Sequence, residues 1–433
     1  MVRVATQLMD KKTLKKANFI EGSISLPGSK SITNRLLIMA ALSKGTSLIK
    51  DCLNSDDTHQ MLNALKLLGV DYQKINKDIK VTGVEHKFPV TNTDLFLGNA
   101  GTAFRPLVAI LSILGGSYEL KGIPRMHERP IKDLVDALLS IGADIEYLEN
   151  TGYPPLKISK SKISINGPIF INGNVSSQYL TALLIAAPLA NKNLSICIKG
   201  DLISKPYIDI TLKLLEQFNI FYSNKDWQTF ELKTPAAFKS PKEIIVEGDA
   251  SSASYFFAAA AISGSIEVKG INKSSIQGDL KFLDVISEMG ANIYYLENSI
   301  KVTSNKRLKG MTINCKEMPD AAMTIAVLAM FASGITTLTN IKSWRVKETD
   351  RIQAMENELS KLGAIVSSTD SSITIEPPTE MNNGVEIKTY DDHRMAMCFS
   401  LISLAHKEIT ILDPKCVNKT YPNFFEDFEG VVN

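Results

Sequence analysis

Lys30 and Arg35 stand at the start of a helix-like run that has no acid in its first turn. Pro27-Gly28 turns the chain out of the strand-like residues 23–26, and Ser29 or Ser31 can cap a helix running through Leu36 to Leu42. A cation there opposes the helix dipole, at about 0.3–1 kcal/mol when exposed. An anion brought from outside would remove that conflict, because backbone N–H groups, hydroxyls and cations would converge on it. The alternative for this stretch alone is an ordinary capped helix with two solvated cations. The pattern recurs, however. Gly98-Asn99-Ala100-Gly101 turns from the strand-like 93–97 into a helix carrying Arg105, where Gly101 permits close backbone approach and Pro106 calls for a first helical turn. Ser176-Ser177-Gln178 opens a third acid-free helix. By contrast, Ser55-Asp56-Asp57, Glu247-Gly248-Asp249 and Pro319-Asp320 look like ordinary dipole-matched caps.

The second half adds mixed charge. In 343–351, SWRVKETDR, the spacing predicts a helix with Lys347 and Arg351 on one face and Glu348 between them, readable equally as a solvated charged helix end. Arg394 begins another apolar helix after Asp391-Asp392-His393, and Lys419 follows the last strand-like run. His393 reads as orienting a neighbour.

These residues are carried by a repeat. An apolar helix, a turn and a β-run recur at Gly45, Gly116, Asn193, Gly264, Gly334 and Lys407. A second helix closes at Gly69, Gly142, Asn219, Gly290 and Gly363, each a candidate left-handed cap. The shared period of 70 to 77 residues predicts six small α/β modules of two helices and about four strands, grouped as two domains of three.

Composition narrows the partners. Lys+Arg 48 against Asp+Glu 46 supplies no global field for nucleic acid or membrane, so any anion affinity is local. The five cysteines are scattered and never CxxC, and the five histidines lack ligand spacing, so neither a disulfide framework nor a metal is expected. Residues 1–20 read as a solvated basic lead-in without a signal-peptide core, and no run is long enough to span a bilayer. A soluble cytoplasmic protein, monomeric and without cofactor, is the expectation.

Taken together and in order, LPGSKS, NAGTAFRP, ERPI, VSSQ, SKPYID, EGDASSASY, PDAAMT, WRVKETDR and DHRMAM resemble the enolpyruvyl transferase family over nearly the whole chain. The resemblance implies an α/β fold of two similar domains, each of three βαβαββ units with pseudo-threefold symmetry and with the active site in the interdomain cleft. Residues 1–28 plus 248–433 would form one discontinuous domain and 29–247 the other. The implied reaction joins phosphoenolpyruvate to the 5-hydroxyl of shikimate-3-phosphate by addition and elimination of phosphate. Lys30, Gly101, Arg129, Gln178, Arg351, Arg394 and Lys419 would hold phosphoenolpyruvate. Lys30, Ser31, Arg35, Ser176, Ser177, Gln178, Ser204, Tyr207, Asp320, Ser343 and Lys347 would hold shikimate-3-phosphate, with Ser343 where relatives commonly carry Asn. Asp320, Glu348 and Lys30 are the implied proton carriers, and the unsubstituted Gly101 implies sensitivity to glyphosate.

Three rival readings remain. The branch acting on UDP-N-acetylglucosamine typically has a reactive Cys in its first half, and 115–130 has none. An RNA 3′-phosphate cyclase would need a nucleophilic His and a basic track. A pure anion binder gains nothing from carboxylates such as Asp320 and Glu348 among its cations.

Overall fold

Ile20–Ser25 is a strand, and Pro27-Gly28 leads directly from it into the helix Lys30–Leu42. The computed structural model describes residues 10–305 and 307–433. These form six sheets, five of four strands and one of three, and the chain divides into two compact units.

One unit comprises Pro27–Ala250 with Ser274–Gly278. Its three sheets share one plan: a parallel pair at one edge, then two antiparallel strands. Glu243–Ile245 pairs parallel with Thr46–Lys50, Asn92–Phe96 with Ser117–Lys121, and Ile169–Asn172 with Ser195–Lys199. The helices Lys30–Leu42, Gly101–Leu114 and Ser177–Ala186 are buried on nearly every side, as apolar composition all round a helix requires. Gly101–Leu114 packs against both of the others. Amphipathic helices Asp56–Leu67, Lys132–Leu139 and Lys205–Gln217 bury one face only.

The second unit comprises the described part of Met1–Leu26 with Ser251–Lys273 and Asp279–Asn433. Ile20–Ser25 pairs parallel with Gly264–Lys269, Thr312–Asn314 with Thr336–Thr339, and Val385–Ile387 with Ile409–Leu412. Ala322–Leu328 and His393–Phe399 are wholly buried. The first module of each unit is therefore completed across the chain. Ile20–Ser25 belongs to the second unit but is followed by a helix of the first.

The period survives in backbone detail. Gly69, Gly142, Asn219, Gly290 and Gly363 all have positive φ, as left-handed caps must. In the other series Gly45, Gly116, Gly264 and Gly334 also have positive φ, and at the remaining two turns the left-handed residues are Asn191 and His406, two and one positions before the expected Asn193 and Lys407. Among the described residues, the sixth module has no antiparallel hairpin like those of the others. Lys11–Leu14 takes its place beside Ile409–Leu412, which corrects the reading of this stretch as a solvated lead-in. Residues 1–9 of that stretch lie outside the described residues.

Gly28 is needed for close approach. A Cβ there would lie 2.1 Å from the Asp51 carbonyl oxygen. Beside it the Ser29 N–H donates to the Glu247 carbonyl at 2.8 Å, and the Asp249 N–H donates to that of Pro27 at 3.0 Å.

Candidate functional site

In the first unit, three acid-free helix starts bring cations and hydroxyls together. Arg35 is buried, and its guanidinium donates to Thr211 Oγ1 at 2.9 Å, to the Ser31 carbonyl at 2.8 Å, and to Thr181 Oγ1 and the Tyr207 carbonyl, each at 3.4 Å. Burial lowers its pKa to about 10, against a smaller opposing pull from Tyr207, so it remains a cation at neutral pH. Arg129 is also buried and donates to the Asn99 side chain at 2.8 Å and to its carbonyl at 3.1 Å. Arg105 donates to the Pro130 carbonyl at 3.3 Å. These side chains converge over Gly101. A Cβ at Gly101 would lie 2.7 Å from Arg105 Nη1 and 3.0 Å from both Arg129 Nη2 and Gln178 Oε1.

Around them, Ser176 caps its helix by accepting from the Gln178 N–H at 3.2 Å, while Ser31, Ser177 and Tyr207 are half-buried. Ser204 is buried in a left-handed conformation at the start of Lys205–Gln217. A small pocket lies between Arg35, Gly101, Thr102, Gln178 and Thr181. Pro106 stands in the second turn of its helix, not the first. It supplies no N–H to the Thr102 carbonyl, and the Thr102 hydroxyl accepts from Asn34 Nδ2 at 2.7 Å.

Two acids read as ordinary caps prove to be part of this cluster. Asp57 is buried and its Oδ2 lies 3.4 Å from Lys30 Nζ, while Asp249 Oδ2 accepts from the Lys30 N–H at 3.3 Å. The cap of Asp56–Leu67 is instead a capping box between Ser55 and Thr58. Sequence spacing held no signal for the Asp57 contact, beyond a second consecutive acid where one suffices for a cap. Lys30, Arg35, Arg105 and Arg129 thus face few carboxylates, and the cluster carries net positive charge.

The second unit's cluster is balanced. Asp320 Oδ1 lies 2.9 Å from Arg351 Nη1 and 3.6 Å from Lys347 Nζ, and its Oδ2 lies 3.1 Å from Arg394 Nη2. Burial alone would push the Asp320 carboxyl up. Arg394, Lys347 and Arg351 outweigh it and hold the group well below the usual carboxylate range. Arg351 is 1% exposed and pairs with Glu348 at 2.9 Å and Asp392 at 2.7 Å besides Asp320. Burial pulls its pKa down, but the three carboxylates reverse that and keep it charged. Arg394 also donates to the Tyr255 hydroxyl at 3.1 Å. His393 is buried with Nδ1 3.5 Å from Asp392 Oδ1.

The local backbone departs from expectation at two places. Asp320 does not cap the following helix, which begins at Ala322 after Ala321, because both its oxygens are spent on cations. SWRVKETDR is not one helix. A 3-10 turn at Lys342–Val346 is broken at Lys347, and the α-helix Arg351–Lys361 starts afresh with Asp350 as cap. Lys347 and Arg351 therefore meet through Asp320 and not through helical spacing. Trp344, fully buried, anchors this break by donating Nε1–H to the Pro319 carbonyl at 2.6 Å. Ser343 is half-buried on the 3-10 turn, and Lys419 is buried at the end of Pro414–Lys419. Among the described residues no group of three or more His, Cys, Asp or Glu could hold a metal ion, and no helix is long and apolar enough to cross a membrane.

The fold is that of the enolpyruvyl transferases. It superposes on the EPSP synthase of Acinetobacter baumannii with a TM-score of 0.80 at 25% identity, covering 98% of each chain. The enolpyruvyl transferase NikO of Streptomyces tendae, at 14% identity and TM-score 0.73 over 97% of each chain, shares the fold alone. Residues 14–428 match the family model of EPSP synthase (3-phosphoshikimate 1-carboxyvinyltransferase). The 3-phosphoshikimate 1-carboxyvinyltransferase of Cupriavidus taiwanensis is 51% identical over 432 residues, covering 98% of this chain and 100% of its own. That of Photobacterium damsela subsp. piscicida is 52% identical over 425 residues, covering 97% and 99%. The chain belongs to the EPSP synthase family.

Proposed function

We propose that the residues of these clusters bind and convert the substrates of the family's reaction. Family membership defines the reaction: this enzyme transfers the enolpyruvyl group of phosphoenolpyruvate to the 5-hydroxyl of shikimate-3-phosphate and releases phosphate, a step of aromatic amino-acid biosynthesis. Transfer to UDP-N-acetylglucosamine belongs to a more distant branch.

In the first unit, Ser31, Arg35, Ser176, Ser177, Ser204 and Tyr207 take shikimate-3-phosphate, with hydroxyls and the buried guanidinium suited to a phosphate ester. Arg129, Gln178 and the open backbone of Gly101 take phosphoenolpyruvate, and Lys30 serves both substrates. In the second unit, Arg351, Arg394 and Lys419 take the carboxylate and phosphate of phosphoenolpyruvate, while Lys347, Ser343 and Asp320 approach shikimate-3-phosphate. Planar guanidinium groups suit such anions because they donate in pairs.

The observation that carries the mechanism is Asp320 held among Arg394, Lys347 and Arg351. In the free enzyme this carboxylate is ionised, as a base must be, but weakly basic. Anionic substrates compete for the same cations, and each cation they engage raises the basicity of Asp320. Asp320 then takes the proton of the 5-hydroxyl as its oxygen bonds to C2. Glu348 delivers a proton to C3, giving a tetrahedral adduct. In the second half, Glu348 takes the C3 proton back and the C2–O bond to phosphate breaks. Lys30 supplies the proton to the leaving phosphate, and exclusion of water protects the adduct.

The assignment is tested by a split in Michaelis constants. Ser177→Ala is expected to raise KM for shikimate-3-phosphate by about 10- to 100-fold, the scale of a lost hydrogen bond to a charged group, with KM for phosphoenolpyruvate nearly unchanged. Arg129→Lys should do the reverse. Effects on the opposite substrates would overturn the division.

A further inference from the structure

Glu358 is a carboxylate that the mechanism does not use, yet it is buried, with an exposure of 0%. It lies on Arg351–Lys361, seven residues beyond Arg351, so the two share a helix face separated by two turns. Both reach the same short segment. Arg351 Nε donates to Asp392 Oδ2 at 2.7 Å, while Glu358 Oε1 accepts from the Tyr390 hydroxyl at 2.7 Å and Oε2 accepts from the Lys388 N–H at 3.0 Å. Lys361 Nζ lies 2.6 Å from Oε2, and Asn357 Nδ2 donates to the Tyr390 hydroxyl at 3.3 Å.

The segment held in this way is unusual. Tyr390 and Asp391 are consecutive non-glycine residues with φ of 54° and 55°. Such a pair persists only where surrounding contacts over-determine it. Immediately after it come Asp392, which is fully buried and accepts the Arg394 N–H at 2.9 Å, and Arg394 itself. The left-handed pair therefore sets the direction in which Asp392 and Arg394 enter their helix, and Glu358 holds that pair.

We propose that Glu358 is a positioning residue for phosphoenolpyruvate, acting through Tyr390 on the geometry of Asp392, Arg351 and Arg394. This rests on the reading that Arg351 and Arg394 hold that substrate. Glu358 touches neither substrate nor reacting atoms. Its carboxylate ties the far end of the Arg351 helix to residues 388–390, while the Arg351–Asp392 pair ties the near end. Loosening one tie lets the two guanidinium groups drift relative to each other.

The test compares Tyr390→Phe, Glu358→Gln and the double variant with Arg394→Lys in the full-length enzyme. Tyr390→Phe removes one hydroxyl and keeps the ring, so the fold is retained even if Glu358→Gln proves too unstable to assay. Expected is a rise in KM for phosphoenolpyruvate of roughly 2- to 30-fold, the range seen when coupling through a packed network is weakened. KM for shikimate-3-phosphate should stay near wild type, and the double variant should be no worse than the poorer single. A merely structural role would lower the melting temperature and leave both Michaelis constants unchanged. If Arg394→Lys raises KM for phosphoenolpyruvate but Tyr390→Phe does not, the proposal is overturned alone. If Arg394→Lys also leaves it unchanged, the substrate assignment fails and the proposal with it.

Discussion

Glu348→Gln is expected to lower kcat by about 10²- to 10⁴-fold, the usual contribution of a positioned proton carrier. Both Michaelis constants should change little. Glu348 is buried, and its Oε2 accepts from Arg351 Nη2 at 2.9 Å. Glutamine retains the size and an acceptor oxygen, so Arg351 keeps a partner and the cluster keeps its packing. What the amide lacks is a proton to give to C3 and a site to receive it again. Removing a negative charge from a site for two anions cannot weaken their electrostatic attraction, so a loss confined to turnover identifies a chemical role. Steady-state kinetics with each substrate varied in turn make the distinction. Loss of affinity with turnover near wild type would reduce Glu348 to an ion-pair partner of Arg351.

Gly101→Ala should raise the inhibition constant of glyphosate relative to KM for phosphoenolpyruvate by roughly 5- to 150-fold, the equivalent of the 1–3 kcal/mol that overpacking a filled site typically costs. Glyphosate carries a carboxylate and a phosphonate, so it can use the same cations as phosphoenolpyruvate, but it is the longer molecule. The added methyl group would meet Arg105 Nη1 at 2.7 Å and Arg129 Nη2 and Gln178 Oε1 at 3.0 Å. All three are the far ends of side chains and can give way, so the variant should fold. As they give way they occupy the room that the longer ligand needs. Phosphoenolpyruvate affinity should fall as well, but by less. A ratio that does not rise would remove Gly101 from this pocket.

Much of this was legible in sequence because it depends on local rules. The modules announced themselves through glycines and asparagines closing helices, and those residues adopt the positive φ that such caps demand. Acid-free helix starts at Lys30, Gly101 and Ser177 marked where cations and hydroxyls gather. Contacts between distant segments were not legible. Nothing near Asp57 in the chain shows that it faces Lys30, and nothing near Tyr255 shows that it meets Arg394. The charged run 343–351 misled for a related reason. Helical spacing accounted for Lys347 and Arg351, whereas Trp344 pinned to Pro319 and the pull of Asp320 break the helix between them. The basic lead-in misled because pairing of Lys11–Leu14 with Ile409–Leu412 joins opposite ends of the chain.

Joining of phosphoenolpyruvate to shikimate-3-phosphate by this chain is measured directly by the release of inorganic phosphate. Purified enzyme should be given phosphoenolpyruvate with shikimate-3-phosphate in one arm and with UDP-N-acetylglucosamine in the other, each with and without EDTA. Catalytic phosphate release is expected with shikimate-3-phosphate, insensitive to EDTA, and none with the nucleotide sugar. Release with UDP-N-acetylglucosamine alone would contradict it.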